Sequence, residues 1–307
     1  MIKDKFVINF KKKSNIFLAI TMATLLICST LHAMVEDDST NALGLATSDG
    51  NLLEMASLIE MGADVNSATI IDGQLKTPLF IAISRNNLKA VKFLVMKGAF
   101  IDVSSSNSPS QEDPLCLTPV HYAAMLGYEN IFRALIMNGK SATEIAVINL
   151  RDHHGNTPLH YTARQGSESN TRLLLEKGAN PNAINSLGYT PIFDAAFNGH
   201  AHIIQLLLES GVSLYLNDVR GIVHSALAAA CSNGQVGAVE ILLAKCTFTL
   251  KDITESIDRL SSFVRHSDAC CTGKPKEAKC AKCLANEEKI SHIFIALSVK
   301  QGLLRAI

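Results

Sequence analysis

An all-α solenoid of about six helix-turn-helix repeats is the fold class the sequence predicts, and three observations carry it. Thr-Pro recurs at Thr77-Pro78, Thr118-Pro119, Thr157-Pro158 and Thr190-Pro191, and nine residues after each Thr stands Asn86, Gly127, Gly166 or Gly199. Twelve residues further on stand Gly98, Gly139, Gly178 and Gly211, and degenerate copies with the same offsets start at Asn41 and Ser225. Self-similarity at fixed internal spacing is the signature of stacked repeats. The third observation is composition: Trp is absent and aromatics are 6% of 307 residues, which suits Leu/Ala-packed helices better than sheets. A hydrophobic share of 48% excludes a wholly disordered chain, and a formal net charge of zero gives no broad electrostatic attraction to nucleic acid or anionic membrane.

In chain order, residues 1–33 read as an address rather than as fold. Lys3, Lys5, Lys11, Lys12 and Lys13 against Asp4 form a basic n-region. An apolar run from Ile16 to Leu31 follows, and Leu31-His32-Ala33 offers a small residue for cleavage. The run is short for a membrane span, which needs roughly 20 apolar residues. The expectation is therefore an exported chain, periplasmic or secreted, starting at Met34; the alternative is an uncleaved anchor over residues 16–31. Loss of the leader leaves 23 basic and 27 acidic residues, a formal net of −4. Residues 34–40 are a short linker.

The repeats fill residues 41–247, with approximate bounds 41–73, 74–114, 115–153, 154–186, 187–221 and 222–247. Each unit can be read residue by residue. Thr caps a helix and Pro occupies its first turn. Leu159 and Ala163 mark a short, closely packing helix that Gly166 ends, because glycine adopts positive φ freely. A second helix from Asn170 to Lys177 carries Leu173, Leu174 and Leu175, and Gly178 stops it. Asn180-Pro181-Asn182 and Asn185 to Gly188 are turn-forming. One such unit cannot bury its apolar face alone, so units stack.

The residues Gly155-Asn156-Thr157-Pro158-Leu159-His160-Tyr161-Thr162-Ala163, Leu173 through Asn182, Gly188 through His200 and Thr118 through Ala124 resemble the ankyrin repeat family. The resemblance implies antiparallel helix pairs and inter-repeat loops projecting as β-hairpin fingers. It also implies a concave face of fingers and inner helices where protein partners bind, and a structural hydrogen-bonding role between units for His121 and His160. With the Lys/Asn/Ile-rich leader, it points to a bacterial-type exported member of the family. The motif is broken at Phe80, which replaces its His, and at Ala226 and Cys246, which replace its Pro and Gly. Terminal repeats are commonly atypical.

Insertions fall in the inter-repeat loops. Gly98 to Thr118 holds the polar stretch Ser104 to Ser110, and Gly139 to Thr157 holds Ile145-Ala146-Val147-Ile148, too apolar for a free loop and expected to pack on the stack or lengthen a hairpin. By motif position, the partner-binding candidates are His153, His154, Asn156, Arg164 and Gln165; Ser186, Leu187, Tyr189, Phe197 and Asn198; and Met125 and Leu126. Several are more apolar than a solvated surface favours, and aromatic and Met enrichment is typical of interface cores. His153 and His154 are adjacent, point apart and lack a carboxylate motif, which argues against a metal there.

After Cys246 the repeat ends. Ile253, Ile257, Leu260 and Val264 share one helix face, and a second helix from about Asn286 to Leu304 carries Ile290, Ile293, Phe294 and Leu297; together these would cap the last repeat. Between them lie Cys270, Cys271, Cys280 and Cys283 in a Lys-rich loop. Disulfides, a Cys₄ metal site and free thiols are all open, and seven cysteines beyond the leader leave at least one unpaired in a monomer. No phosphate-binding glycine loop, zinc-protease motif or nucleophile elbow is present. The function expected is a non-enzymatic, exported scaffold binding a protein partner. It needs no cofactor, nucleic acid or small-molecule substrate, and meets membrane only if the leader is retained. The alternative is an envelope protein with redox or metal-linked chemistry in the Cys270–Cys283 loop.

Overall fold

The computed structural model describes residues 41–72, 74–102, 117–138, 147–212, 215–217, 223–267 and 291–302. The leader, most of both loop insertions, and Cys116, Cys270, Cys271, Cys280 and Cys283 lie outside the described residues. The chain divides into two units, one up to Ala99 and one from Phe100.

The first unit holds α1 (41–49), α2 (Leu52–Glu60), a hairpin of β1 (Thr69–Ile71) and β2 (Gln74–Lys76), α3 (Pro78–Ser84) and α4 (Leu88–Met96). Asn51 and Asn87 start α2 and α4 by accepting hydrogen bonds from the amides of Glu54 and Ala90 at 3.3 and 3.1 Å. Asn86, in the glycine position of its repeat, has φ of 54°, a conformation asparagine tolerates. The strands pair antiparallel with Ile70 opposite Leu75. Leu43, Met55, Ile81, Ile83 and Leu94 are completely or almost completely buried.

The second unit is built as two rows of helices. α5 (Pro119–Leu126), α7 (Pro158–Gln165), α9 (Pro191–Asn198) and α11 (Ala226–Ser232) form the inner row; α6 (Glu129–Asn138), α8 (Glu168–Glu176), α10 (Ala201–Glu209) and α12 (Val236–Lys245) form the outer row. Each helix packs on its sequence partner and on the next of its own row. Of the inner helices, α5, α7 and α9 begin with Pro in the first turn and end on Gly127, Gly166 and Gly199, all left-handed, whereas α11 begins with Ala226. Space adds a second constraint at Gly166: a Cβ there would lie 2.5 Å from Nδ1 of His200 in the following repeat. A second hairpin, β3 (Tyr215–Asn217) with β4 (Val223–Ser225), is the finger before α11; the 152–156 and 185–189 fingers are tight turns without strands. Val147 and Ile148 are buried, as their apolar character predicts.

The cap follows the repeat geometry. α13 (Leu250–Ser267) packs on α11, so it occupies the inner-row place of a further repeat. Its buried stripe differs from the expected one. Ile253 and Leu260 are buried, but Ser256 fills the turn between them, donating to the carbonyl of Asp252 at 2.7 Å, while Ile257 is only half-buried. The last helix, α14, spans 291–302; Ile293 and Leu297 are buried, whereas Phe294, expected on the same face, is 46% exposed. Lys300 of this helix donates to the carbonyl of Leu243 in α12 at 3.2 Å. Cys231, in the small-residue place of its repeat, is a core thiol whose burial pushes its pKa up to about 12. Among the described residues no helix is long and apolar enough to cross a membrane, and no group of three or more His, Cys, Asp or Glu side chains could hold a metal ion.

Candidate functional site

Two buried histidines each lock one finger to the repeat before it. In α7, Nδ1 of His160 accepts from the backbone N–H of Thr157 at 3.0 Å. That leaves Nε2 as the protonated nitrogen, and it donates to the carbonyl of Tyr189 at 3.1 Å in the next finger. His121 repeats the arrangement one unit earlier, with Nδ1 on Thr118 Oγ1 and Nε2 shared between the carbonyls of Leu150 and Asn156. Burial lowers both pKa values, that of His160 to about 4, which fixes both rings neutral. The structural role that the resemblance implies for these two histidines is therefore met.

In α9 the same position is Phe193. It stacks flat on Tyr189, centroids 4.0 Å apart, and the capping hydroxyl of Thr190 is left without a partner. The loss of one hydrogen bond thus creates an aromatic pair at the foot of a finger. The fingers are themselves cross-linked. Asp152 accepts from the N–H and Nδ2 of Asn156 and from the hydroxyl of Tyr161, at 2.7, 3.0 and 2.6 Å. Asn185 Nδ2 donates to Asn156 Oδ1, and Ser186 N donates to the His154 carbonyl.

Between these fingers and the inner helices lies a groove of about 930 Å³. It is lined by Met125, His154, Asn156, Arg164, Gln165, Ser186, Leu187, Tyr189, Phe197 and Asn198, ten of the twelve positions singled out from the sequence. Leu126 and His153 are not part of it. Asn156, a partner-binding candidate by motif position, is buried, its side chain engaged by Asp152 and Asn185. Leu187 and Phe197 are exposed by 62% and 42%. The motif reading missed Tyr161, Phe193, Asp194 and Arg259. The first three sit at or beside the motif's His position on inner helices, where 3.6-residue periodicity would have found them; Arg259 comes from α13, outside the repeat register. Ala228 and Ala229 give the far end of the groove small walls.

Among the described residues, Asp194 is the one carboxylate lining the groove. Oδ1 accepts from Arg164 Nη2 at 3.1 Å, while Oδ2 is buried without a partner. Burial raises its pKa from 3.8 to about 6, against the opposing pull of Arg164. The three titrating groups act with opposite signs. His121 and His160 have folded pKa values below the ordinary 6.5, so the unfolded chain takes up their protons first and stability is lost as pH falls below 6.5. Asp194 takes its proton first in the folded chain, so it adds stability as pH falls from about 6 towards 3.8. Asp194→Asn removes that opposing gain. The acid loss of stability should therefore steepen, by up to about 1.4 kcal/mol per pH unit, in urea unfolding at stepped pH. An unchanged or shallower acid limb would contradict the assignment.

The comparisons with known proteins agree with this architecture. The family described as "Ankyrin repeats (3 copies)" matches residues 18–107, 103–185, 120–218 and 182–252. The human transient receptor potential cation channel subfamily A member 1 is 26% identical over 214 residues, 68% of this chain and 18% of the channel. The mouse B-cell lymphoma 3 protein homolog is 28% identical over 189 residues, 60% of this chain and 39% of that protein. The chain thus spans well under half the length of these relatives. Among solved structures, an ankyrin repeat domain from Acinetobacter baumannii AYE superposes with a TM-score of 0.53 at 25% identity, covering 66% of this chain and 96% of that domain. The ankyrin repeat domain of Bcl-3 gives 0.55 at 25% identity, covering 68% and 87%. Recurrent Thr-Pro helix starts, the paired helix rows, the histidine links and these matches converge: the chain belongs to the ankyrin repeat family.

Proposed function

We propose that this chain is an exported, non-enzymatic scaffold that holds a protein partner in the groove between its fingers and inner helices. Ankyrin repeats generally mediate protein–protein interaction. The observation that carries the reading for this chain is the exposure of Leu187 and Phe197 beside the stacked Tyr189–Phe193 pair, in one groove walled by several repeats. Apolar and aromatic side chains gathered in a concavity mark binding surfaces, whereas isolated ones do not. The mechanism is preorganisation: the histidine links and the Asp152 network hold the finger backbones in place before a partner arrives, which reduces the ordering cost of binding.

The test is capture of partners by the full chain and by Tyr189→Ala with Phe197→Ala. Truncation of two central aromatics should weaken capture by well over tenfold, since such anchors are worth about 2 kcal/mol or more each. An identical set of captured proteins would remove the groove from the account. Export rests on the basic and apolar leader, and N-terminal sequencing should find the chain starting at Met34.

A further inference from the structure

The groove has an electrostatic bias that its apolar walls do not explain. Two guanidinium groups line it, Arg164 from α7 and Arg259 from α13, and both are substantially open, with side-chain exposures of 43% and 46%. A guanidinium has five N–H donors. Arg164 places one on Asp194, and Arg259 lies 3.6 Å from Glu255, an ion pair longer than a hydrogen bond. Each therefore has donors to offer an occupant.

Asp194 is the counter-charge and could in principle anchor a cation instead. Its geometry argues otherwise. One oxygen is already engaged by Arg164, and the other is sealed from solvent, so the acid presents no accessible face. Among the described residues the accessible charge in the groove is positive, in a chain whose formal net charge is zero. Such local complementarity steers and selects partners. Beside the two arginines stand Leu187 and Phe197, ready for an apolar side chain.

We infer that the groove takes an acidic–apolar polypeptide segment, with Asp or Glu carboxylates received by Arg164 and Arg259 and a neighbouring aliphatic or aromatic side chain set against Leu187 and Phe197. The inference rests on the groove being the partner site and names the partner's chemistry. Asp194 is then an internal competitor for Arg164, and its removal leaves the arginine free for the occupant.

The test sorts a phage-displayed random peptide library on the full chain, then titrates the best synthetic segment against variants. Selected segments should be enriched in Asp and Glu next to apolar residues and depleted in Lys and Arg. Arg259→Gln, which strands no buried charge, should weaken binding by about tenfold, and so should Arg164→Gln. Asp194→Asn should bind as well as the parent or more tightly. Urea midpoints of all three variants establish folding; if Arg164→Gln unfolds, the Arg259→Gln result decides. Basic or uncharged segments, or loss of binding in Asp194→Asn, would overturn the inference, as would a library that yields no binder. If such segments were still lost with Tyr189→Ala plus Phe197→Ala, the groove would stand and only its acidic occupant would fall. Segments indifferent to that pair would overturn the groove itself.

Discussion

Asp152→Ala should lower the stability of the second unit by about 3–5 kcal/mol. The carboxylate is buried and accepts three hydrogen bonds, from the amide and side chain of Asn156 and from Tyr161. Alanine removes every acceptor at once and leaves three buried donors unpaired, each costing about 1–3 kcal/mol unless water enters. The effect should spread, because Asn156 in turn orients Asn185 and through it the next finger. Tyr161→Phe isolates one leg. It deletes a 2.6 Å bond to a carboxylate but leaves the other two, so about 1.5–3 kcal/mol is expected. Urea unfolding followed by circular dichroism measures both; equal losses would show that Asp152 works through Tyr161 alone.

Phe132→Ala should cost a similar 3–5 kcal/mol through a different cause. Phe132 is fully buried in the outer row on α6, which packs against α5 and α8. Truncation removes the transfer free energy of a phenyl ring and leaves a cavity that the close-packed helices cannot fill. In a stacked array each repeat is stabilised chiefly by its neighbours, so the loss should also lower the cooperativity of the transition. Phe197→Ala is the internal control. The same atoms are deleted from a residue 42% exposed in the groove, and the stability change should stay within about 0.5 kcal/mol. A large effect at Phe197 would mean that its ring holds the fold rather than awaiting a partner.

The repeat architecture was legible because capping chemistry is local. Thr-Pro, the glycine nine residues on and the apolar stripe between them dictate start, stop and buried face without reference to anything distant. The helix ends on Gly127, Gly166 and Gly199 follow directly. What escaped depends on registers that no short window contains. Asn156 reads as a polar turn residue, yet the Asp152 and Asn185 side chains draw it inward from two different repeats. Phe193 stands where the neighbouring repeats have His121 and His160, and its stack on Tyr189 depends on the finger that brings the two rings together. Arg259 lies on a helix whose amphipathic period is plain, but whose place in the inner row follows only from packing on α11. Phe294 shows the limit of periodicity itself: the pattern identifies a helix, while the width of the seam it covers decides which apolar residue stays outside.

The central claim is that a partner lies between the fingers and the inner helices of the second unit. A crystal structure of the chain with a library-selected segment bound tests it most directly. The segment should be seated along α7, α9 and α11, contacting Leu187 and Phe197, with a carboxylate on Arg164 or Arg259. A segment seated on the outer row of α8, α10 and α12, with the groove empty, would contradict it.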